Sequence, residues 1–456
     1  MITVMKFGGS SVGSPEALGR VADIVLGTEG QKVVVASAMS GVTNFLVSAA
    51  ESDNRKDRER AVEGLDEMHL AAAAKLFEGV AMEAFMDEYR PRFEEFKALM
   101  TDEAAAADPF YMDTVSSQGE RFSTLLLAHV LRLKGARAVA MTAEECGISA
   151  EGRPLNGSAA LNRTESQMTM RLKPVLEQGI IPVITGFYGI NDDGKVLTFG
   201  RGGSDYSAAV VANGLDADVL EIWTDVDGFM SADPRMIPDA VLIDEMNYAE
   251  AAELAYFGAK VLHPRTIEPV RMKHIPLRIR NSFKPEDAGT SVHHLRKQTD
   301  EMLKSVAVKT DLSIISISSA EIAYRPNMVA RIIEKIAEND VIIYSLSTSL
   351  STVALLVHNN DVKATMMRLN TLDAGDIERI EVKSDVALVC AVGDNLLAKC
   401  GVSGDIFSAV KDARANVEMI SEGASDVSLN FVVPMYKVTE VVRSLHSRFV
   451  TKERSA

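Results

Sequence analysis

Short apolar runs rich in β-branched residues alternate with amphipathic stretches along the first part of the chain. Such runs are typical of buried strands, and they fall at residues 2–5, 31–38, 136–142, 179–186 and 219–226. The intervening stretches, above all residues 52–108, carry apolar residues at helical spacing. This alternation predicts an α/β fold in which an open, mostly parallel sheet lies between helices.

A glycine loop, residues 6–13, follows the first predicted strand, and a Ser-Pro-Glu sequence at residues 14–16 then favours a helix start. The backbone N–H groups of Gly8 and Gly9 and the positive end of the helix can bind an anion. Lys6 adds a charge, and two hydroxyls follow. Because the lysine precedes the glycines, the loop is not a P-loop; an ordinary strand-to-helix turn is the alternative.

A second glycine loop, residues 198–207, enters a helix of small residues. Arg201 can bind a carboxylate or phosphate with two hydrogen bonds, and Asp205 lies near the start of the helix. Glu120 also lies near a predicted helix start, where compensation of the helix dipole is the alternative to a functional role. Residues 189–196 have P-loop spacing, but Val196 replaces the required hydroxyl, and we interpret them as a hairpin turn.

Composition limits the possible partners and compartment. With 456 residues the chain is long enough for two or three domains. Its net charge of −16 argues against nucleic acid and anionic membranes as main partners. Three cysteines without metal-site spacing, no apolar segment long enough for a membrane span and no signal-peptide pattern together predict a cytoplasmic protein with reduced thiols.

A weak internal repeat marks the last third of the chain. Residues 344–357 align with residues 420–433, and each copy follows an amphipathic helix, at 328–338 and at 403–413. The order of elements predicts two ferredoxin-like βαββαβ modules.

Five motifs together resemble the aspartate kinases of the amino-acid kinase superfamily, and the repeated modules resemble ACT domains. The motifs are Lys6–Val12, Ser117–Glu120, Gly200–Tyr206, Trp223–Val226 and Phe257–Pro264. The resemblance implies an amino-acid kinase domain at residues 1–300 and ACT-like domains at 301–380 and 381–456. No dehydrogenase-like segment follows the second module, so a monofunctional form is expected.

The resemblance implies ATP-dependent phosphorylation of the β-carboxylate of L-aspartate, the entry step to lysine, threonine, methionine and isoleucine. Mg²⁺ would accompany ATP without direct protein ligands. The implied catalytic pair is Lys6 and Asp205. The implied nucleotide-binding residues are Lys6, Gly8, Gly9, Ser10, Thr224, Asp225, Arg235 and Lys260. The implied aspartate-binding residues are Ser37, Thr43, Glu120, Arg201, Gly203 and Ser204, with Glu120 on the α-ammonium and Arg201 on the α-carboxylate. Met230 stands where a tyrosine is frequent near the nucleotide in the family, so the chain departs from the family pattern at this contact.

The resemblance also implies a homodimer or a dimer of dimers, inhibited by threonine or lysine bound at the ACT-like modules. Candidate effector residues are Asp340, Ser345, Ser349, Glu422 and Asp426. Positions 346, 350 and 354 of the first module are apolar where the second has Glu422, Asp426 and Asn430. We therefore hypothesise that the first module binds an effector weakly or not at all, and that any inhibition favours threonine over lysine. The alternative is that backbone groups and Asp340 suffice to bind an effector in the first module.

Two other functions compete with aspartate kinase activity. They are a superfamily kinase acting on glutamate or acetylglutamate, and a catalytically inactive amino-acid sensor.

Overall fold

The computed structural model describes residues 1–258, 261–295, 302–320, 322, 324–337, 341–372, 377–394, 396 and 400–450. Two compact units form within these residues. The first unit comprises residues 1–229, 244–251 and 261–295, and the second unit comprises residues 230–243, 252–258 and the described residues from 302 onward.

The first unit is built on an eight-stranded sheet in the order β10-β12-β11-β9-β1-β2-β6-β3. The strands up to residue 295 are β1 (Ile2–Phe7), β2 (Gln31–Ala36), β3 (Ala138–Met141), β4 (Ala150–Arg153), β5 (Asn156–Ala159), β6 (Ile181–Thr185), β7 (Tyr188–Ile190), β8 (Val196–Thr198), β9 (Val219–Thr224), β10 (Glu245–Asn247), β11 (Leu277–Asn281) and β12 (Thr290–His293). Strands β3, β6, β2, β1, β9 and β11 run parallel, and β12 pairs with β11 in the antiparallel sense. The predicted open, mostly parallel sheet is confirmed.

The helices up to residue 295 are α1 (Pro15–Gly27), α2 (Val42–Ala50), α3 (Arg55–Leu76), α4 (Val80–Thr101), α5 (Glu103–Ala106), α6 (Tyr111–Ser116), α7 (Gln118–Leu133), α8 (Ala143–Cys146), α9 (Leu161–Arg171), α10 (Lys173–Glu177), α11 (Gly203–Leu215), α12 (Tyr248–Phe257) and α13 (Ile267–Met272). The predicted helical region at 52–108 is confirmed as α3, α4 and α5. Within the described residues, no helix is long and apolar enough to cross a membrane.

Strand β1 lies in the middle of the sheet and explains where the site forms. It pairs in parallel with β2 and β9, and its residues from Val4 to Phe7 are buried, as expected of a strand covered on both faces. Parallel strands end at the same edge of a sheet, so the loops after β1, β2 and β9 gather there. Residues 191–195 form the turn between β7 and β8, so residues 189–196 belong to a hairpin and the hairpin interpretation is confirmed.

The second unit contains a six-stranded sheet in the order β14-β15-β13-β16-β18-β17. Its strands are β13 (Ser305–Ser318), β14 (Ser345–Thr348), β15 (Thr352–His358), β16 (Arg379–Val392), β17 (Met419–Ser421) and β18 (Ser428–Pro434), and its helices are α14 (Pro326–Ala337), α15 (Val362–Leu369), α16 (Val402–Asp412) and α17 (Val438–Phe449). The repeated helix, strand, turn, strand, helix order is confirmed, and with it the ferredoxin-like fold class.

Strands β13 and β16 serve both modules because each is long enough to be divided. Residues 312–318 pair with β15, and residues 314–318 also pair with 379–383. Residues 305–309 pair with 388–392, and residues 386–392 in turn pair with β18. Residues 305–309 of β13 thus belong to the C-terminal module, and the first module is inserted in the chain after them. The predicted division between 380 and 381 falls inside β16, and the one between 300 and 301 lies outside the described residues.

Candidate active site

The first glycine loop leaves β1 and turns back sharply. The N–H of Gly8 donates to the carbonyl of Trp223 on β9 at 3.3 Å, and the N–H of Ser11 donates to the carbonyl of Gly8 at 2.9 Å. A Cβ at Gly9 would lie 3.0 Å from the carbonyl oxygen of Ala38, so the loop packs closely against the one after β2. Ser14 then caps α1 by accepting the N–H of Ala17 at 3.2 Å, as predicted.

The second glycine loop approaches the same edge of the sheet. Gly200 and Gly202 have φ values of 70° and 72°, in the left-handed region that favours glycine. A Cβ at Gly202 would lie 2.3 Å from the Cβ of His263, so a larger residue cannot occupy this position without displacement. Helix α11 begins directly afterwards, with Asp205 in its first turn.

Lys6 and Asp205 meet where the two loops converge. The Lys6 Nζ lies 2.5 Å from the Asp205 Oδ1, and the two side chains are only 10% and 15% exposed. Lys6 is the next-to-last residue of β1, and Asp205 is fixed by α11, so both charges are held by regular elements. The structure therefore brings the predicted catalytic pair together as an ion pair.

Glu120 projects from the first turn of α7 and is 2% exposed. Burial raises the pKa of its carboxyl to about 8, although the N–H of Ala38 and the charge of Lys6 act in the opposite direction. Its Oε2 is buried and has no hydrogen-bond partner among the described residues. An unsatisfied buried carboxylate oxygen is costly, so this site is suited to a ligand that brings a donor or a positive charge.

A cavity of about 830 Å³ contains these groups. Ten predicted site residues line it: Lys6, Gly9, Ser10, Ser37, Thr43, Glu120, Arg201, Gly203, Ser204 and Asp205. Arg201 is exposed, and within the described part of the chain it has no hydrogen-bond or ion-pair partner. Helices α2 and α11 begin beside the cavity, so their N–H groups add positive potential to the wall.

The predicted nucleotide-binding residues lie at different places. Thr224 ends β9 and hydrogen-bonds Asp225 at 3.2 Å, next to the Trp223 carbonyl that Gly8 contacts, so these two residues flank the first glycine loop. Arg235 belongs to the second unit and is exposed, and its guanidinium donates hydrogen bonds to both carboxylate oxygens of Asp233. Lys260 lies outside the described residues.

Sequence reasoning missed several residues of the cavity wall. Leu155 and Phe187 line it, and both have positive φ values, 62° and 80°, which are unusual for side chains of this size. No sequence pattern predicts that a leucine or a phenylalanine adopts a left-handed backbone conformation. Ser40 and Asn44 also line the cavity; the polar loop after β2 was a signal for them. Among the described residues, no group of three or more acidic, histidine or cysteine side chains could hold a metal ion.

The candidate effector residues lie in the second unit. The buried Ser345 Oγ on β14 has no hydrogen-bond partner among the described residues, and the Ser349 Oγ accepts the N–H of Thr352 at 3.1 Å. Glu422 accepts a hydrogen bond from Ser403, and the carbonyl of Asp426 accepts the N–H of Leu396 at 2.8 Å. Asp340 lies outside the described residues.

Comparison with known proteins agrees with this architecture. Residues 1–281 match the model of the Amino acid kinase family, and residues 389–449 match that of the ACT domain. Fold and cavity thus define an amino acid kinase that carries ACT-type modules.

Individual relatives define the family more narrowly than the two domain models do. Lysine-sensitive aspartokinase 3 of Escherichia coli is 33% identical over 453 residues, which cover 98% of both chains. The crystal structure of E. coli aspartokinase III in complex with aspartate and ADP is similar with a TM-score of 0.83 and 31% identity, over 98% of this chain and 99% of the other. The chain spans only 50% of a chloroplastic bifunctional aspartokinase/homoserine dehydrogenase of Zea mays, to which it is 30% identical. This chain belongs to the aspartokinase family, and the resemblance inferred from the motifs is confirmed.

Proposed function

We propose that this protein transfers the γ-phosphoryl group of ATP to the β-carboxylate of L-aspartate. The observation that carries the proposal is that one cavity is lined by the buried carboxyl group of Glu120 and by the guanidinium of Arg201, which has no hydrogen-bond or ion-pair partner among the described residues. An α-amino acid has the complementary charges. Its ammonium suits Glu120, and its α-carboxylate suits the two-pronged guanidinium.

The reaction requires little covalent chemistry from the protein. A carboxylate is already ionised near neutral pH and is a nucleophile, so no general base is required. Catalysis then consists of positioning the two substrates and neutralising charge on the transferred phosphoryl group. The residues of the site are of the type that this chemistry requires.

Lys6 is assigned to the transferring phosphoryl group, together with the N–H groups of Gly8 and Gly9. Asp205 holds the lysine ammonium at 2.5 Å and thereby fixes the position of its charge. Ser10, Ser37 and Thr43 add hydroxyl donors to the cavity wall, and Gly203 and Ser204 add the N–H groups at the start of α11.

The nucleotide is assigned to the side of the first glycine loop where β9 ends. Thr224 and Asp225 flank that loop, and Arg235 and Lys260 are retained as further nucleotide-binding residues because of the family pattern. Mg²⁺ would enter as part of the ATP substrate and lower the charge of its phosphates; the acidic groups here suit contact through water rather than a protein cage.

Assembly, regulation and compartment complete the proposal. An amino-acid effector, threonine or lysine, would bind the ACT-type modules of a homodimer or dimer of dimers. Cys146, Cys390 and Cys400 are all unpaired, which is typical of the reducing cytoplasm.

The direct test is an ATP-dependent assay in which hydroxylamine traps the acyl phosphate. We expect aspartyl hydroxamate with aspartate, and at most trace product with glutamate or acetylglutamate. Lys6→Met is the matched control for contaminating activity. Product with a rival substrate alone would identify another superfamily kinase, and calorimetric binding of aspartate with no hydroxamate at high enzyme concentration would identify an inactive sensor.

A further inference from the structure

The base of the second glycine loop is held by a buried carboxylate with no predicted role. Asp113 lies on α6 and is 0% exposed. Its Oδ1 accepts the N–H of Thr198 at 2.7 Å and the hydroxyl of Thr198 at 2.7 Å. The N–H of Leu155 lies 3.0 Å from both carboxylate oxygens. Three donors thus satisfy a charge that has no ion-pair partner among the described residues.

A cation holds the next residue of the same loop. Arg265 lies in the 3₁₀ turn before α13, and its Nη1 donates to the carbonyl of Phe199 at 2.9 Å. Its Nη2 donates to the carbonyl of Gly157 at 2.9 Å and to the Ser158 Oγ at 3.0 Å. The guanidinium also lies 4.6 Å from the centre of the Tyr206 ring, on the first turns of α11.

We infer that Asp113 and Arg265 are positioning residues for substrate recognition, which fix Thr198 and Phe199 so that the following loop presents Arg201 to the amino-acid substrate. The inference rests on the proposed function, because it takes Arg201 to bind the α-carboxylate. Neither residue lines the cavity within the described part of the chain, so both act through the loop.

The loop requires such support for a physical reason. Gly200 and Gly202 have positive φ values, and glycines of this kind lose more conformational freedom on ordering than other residues. Arg201 itself is exposed, and in the part of the chain that the structure describes it has no hydrogen-bond or ion-pair partner. The direction of its side chain therefore depends on the backbone before and after it. Helix α11 fixes the residues after Arg201, and the two charged side chains fix the residues before it.

The chemistry of the two residues fits the two backbone groups. A carboxylate can only accept hydrogen bonds, and it meets an N–H; a guanidinium can only donate, and it meets a carbonyl. Hydrogen bonds to charged groups are stronger than those between neutral groups. Asp113 also links two parts of the wall, because Leu155, which it holds, lines the cavity as well.

Kinetics of four variants test the inference: Asp113→Ala, Asp113→Asn, Arg265→Met and Arg265→Lys. We expect the first and third to raise the KM for aspartate between about tenfold and a hundredfold, the size expected when a hydrogen bond to a charged group is lost. The KM for ATP and kcat should change less than about threefold, as for a loss of ground-state binding. The conservative variants, Asn and Lys, should restore part of the affinity.

Substrate selectivity gives a sharper readout. Aspartic acid α-amide retains the β-carboxylate but lacks the α-carboxylate. The preference of the wild-type enzyme for aspartate over this amide should fall in Asp113→Ala and Arg265→Met, since a displaced Arg201 no longer distinguishes them. The matched controls are Asp108→Asn and Arg271→Met, which remove exposed ion pairs with Lys195 and Glu268. Both controls should leave KM and selectivity unchanged.

Hydrogen exchange separates this inference from the proposed function. Amides of residues 199–205 should exchange faster in Asp113→Ala and Arg265→Met than in the wild type and in both controls. Unchanged exchange, or an equal rise of the KM values for aspartate and ATP, would overturn the positioning role. If Asp113→Ala does not fold, Asp113→Asn and Arg265→Lys decide by the same measures. Absence of aspartyl hydroxamate with the wild type would overturn the function, while the exchange data would still decide whether the loop is held as described.

Discussion

Removal of the Lys6 ammonium should damage stability and activity for separable reasons. In Lys6→Met the side chain keeps a similar length and loses its charge. Asp205, 15% exposed, then stays buried without its cation. In the double variant Lys6→Met with Asp205→Asn, both charges are absent and neither is left unpaired.

The structure sets the size of the effect. Two charges 2.5 Å apart attract by about 7 kcal/mol at an effective dielectric constant of about 20, which is an upper bound because it omits desolvation. Removal of one partner from a buried pair costs about 3–5 kcal/mol, since the other charge remains buried. We expect a loss in this range for Lys6→Met, and a recovery of at least about 2 kcal/mol in the double variant.

Activity should behave differently. Loss of one group that stabilises developing charge typically costs about 10²–10³ in kcat. The double variant also lacks that group, so its kcat should stay as low as that of Lys6→Met although its stability returns. The recovery of stability without activity would separate the two roles of the lysine.

The single tryptophan provides the assay. Trp223 is 1% exposed, lies on β9 beside β1, and stacks on Phe7 with ring centroids 6.0 Å apart. Its fluorescence in urea therefore reports the unfolding of the sheet that carries Lys6. Lys134→Met is the matched control, because Lys134 lies 2.6 Å from Asp23 but these side chains are 34% and 67% exposed. An exposed pair should contribute at most about 1 kcal/mol.

Three results would contradict this reasoning. A Lys6→Met variant as stable as Lys134→Met would mean that the buried ion pair contributes no more than an exposed one. A double variant less stable than Lys6→Met would show that the unpaired aspartate is not the source of the loss. A folded Lys6→Met enzyme with near-normal kcat would refute the role of Lys6 at the phosphoryl group.

The site and the modules support four further predictions. Because burial raises the pKa of Glu120 to about 8 and only the ionised carboxyl attracts an ammonium, the wild-type KM for aspartate should fall as pH rises from about 6.5 to 8.5, whereas Glu120→Gln should have a high KM without this slope. The protonated form is the one that folding favours, so stability from this group is lost as pH rises through about 8, and urea unfolding at pH 6 and 9 should show a smaller pH effect in Glu120→Gln. Light scattering at micromolar concentration should find a dimer or tetramer, since ACT-type sheets have edges available for pairing; a monomer would contradict this. Activity at saturating substrate with millimolar lysine or threonine should fall more with threonine, and strong inhibition by lysine alone that is lost on substitution of Tyr344 or Ser349 would refute the effector hypothesis.

The parts of the fold that sequence predicted are those governed by local physics. The strand at Gln31–Ala36, the serine cap at residue 14 and the hairpin at 189–196 each carry their own signal: an apolar run, a capping hydroxyl or a turn sequence. The meeting of Lys6 with Asp205 was not a local property. It was inferred from family motifs, and the fold explains it: β1 carries the first glycine loop to the carboxyl edge of the parallel sheet, and the second loop reaches the same edge from β8 of the separate β7–β8 hairpin.

The nested modules show why the domain boundary was harder to place. The repeat pattern identifies helices and hairpins within each module, but it contains no information on which module a shared strand completes. Residues 305–309 precede the first module and pair with residues 388–392 of the second. Only the antiparallel register, with its shifts between Lys309 and Ile314, shows how β13 is divided between the two modules.

The role of Asp113 at the site could not be predicted from the sequence. An aspartate on a short helix reads as a surface charge or a cap, and nothing in its neighbours indicates that it is fully buried. Its function-related contacts are with residues 42 and 85 positions away. A buried carboxylate is tolerated only where donors surround it, and those donors come from the backbone of loops whose course the fold alone determines. The residues that bind substrate can therefore be predicted from motif chemistry, whereas the residues that position them can be identified only from long-range packing.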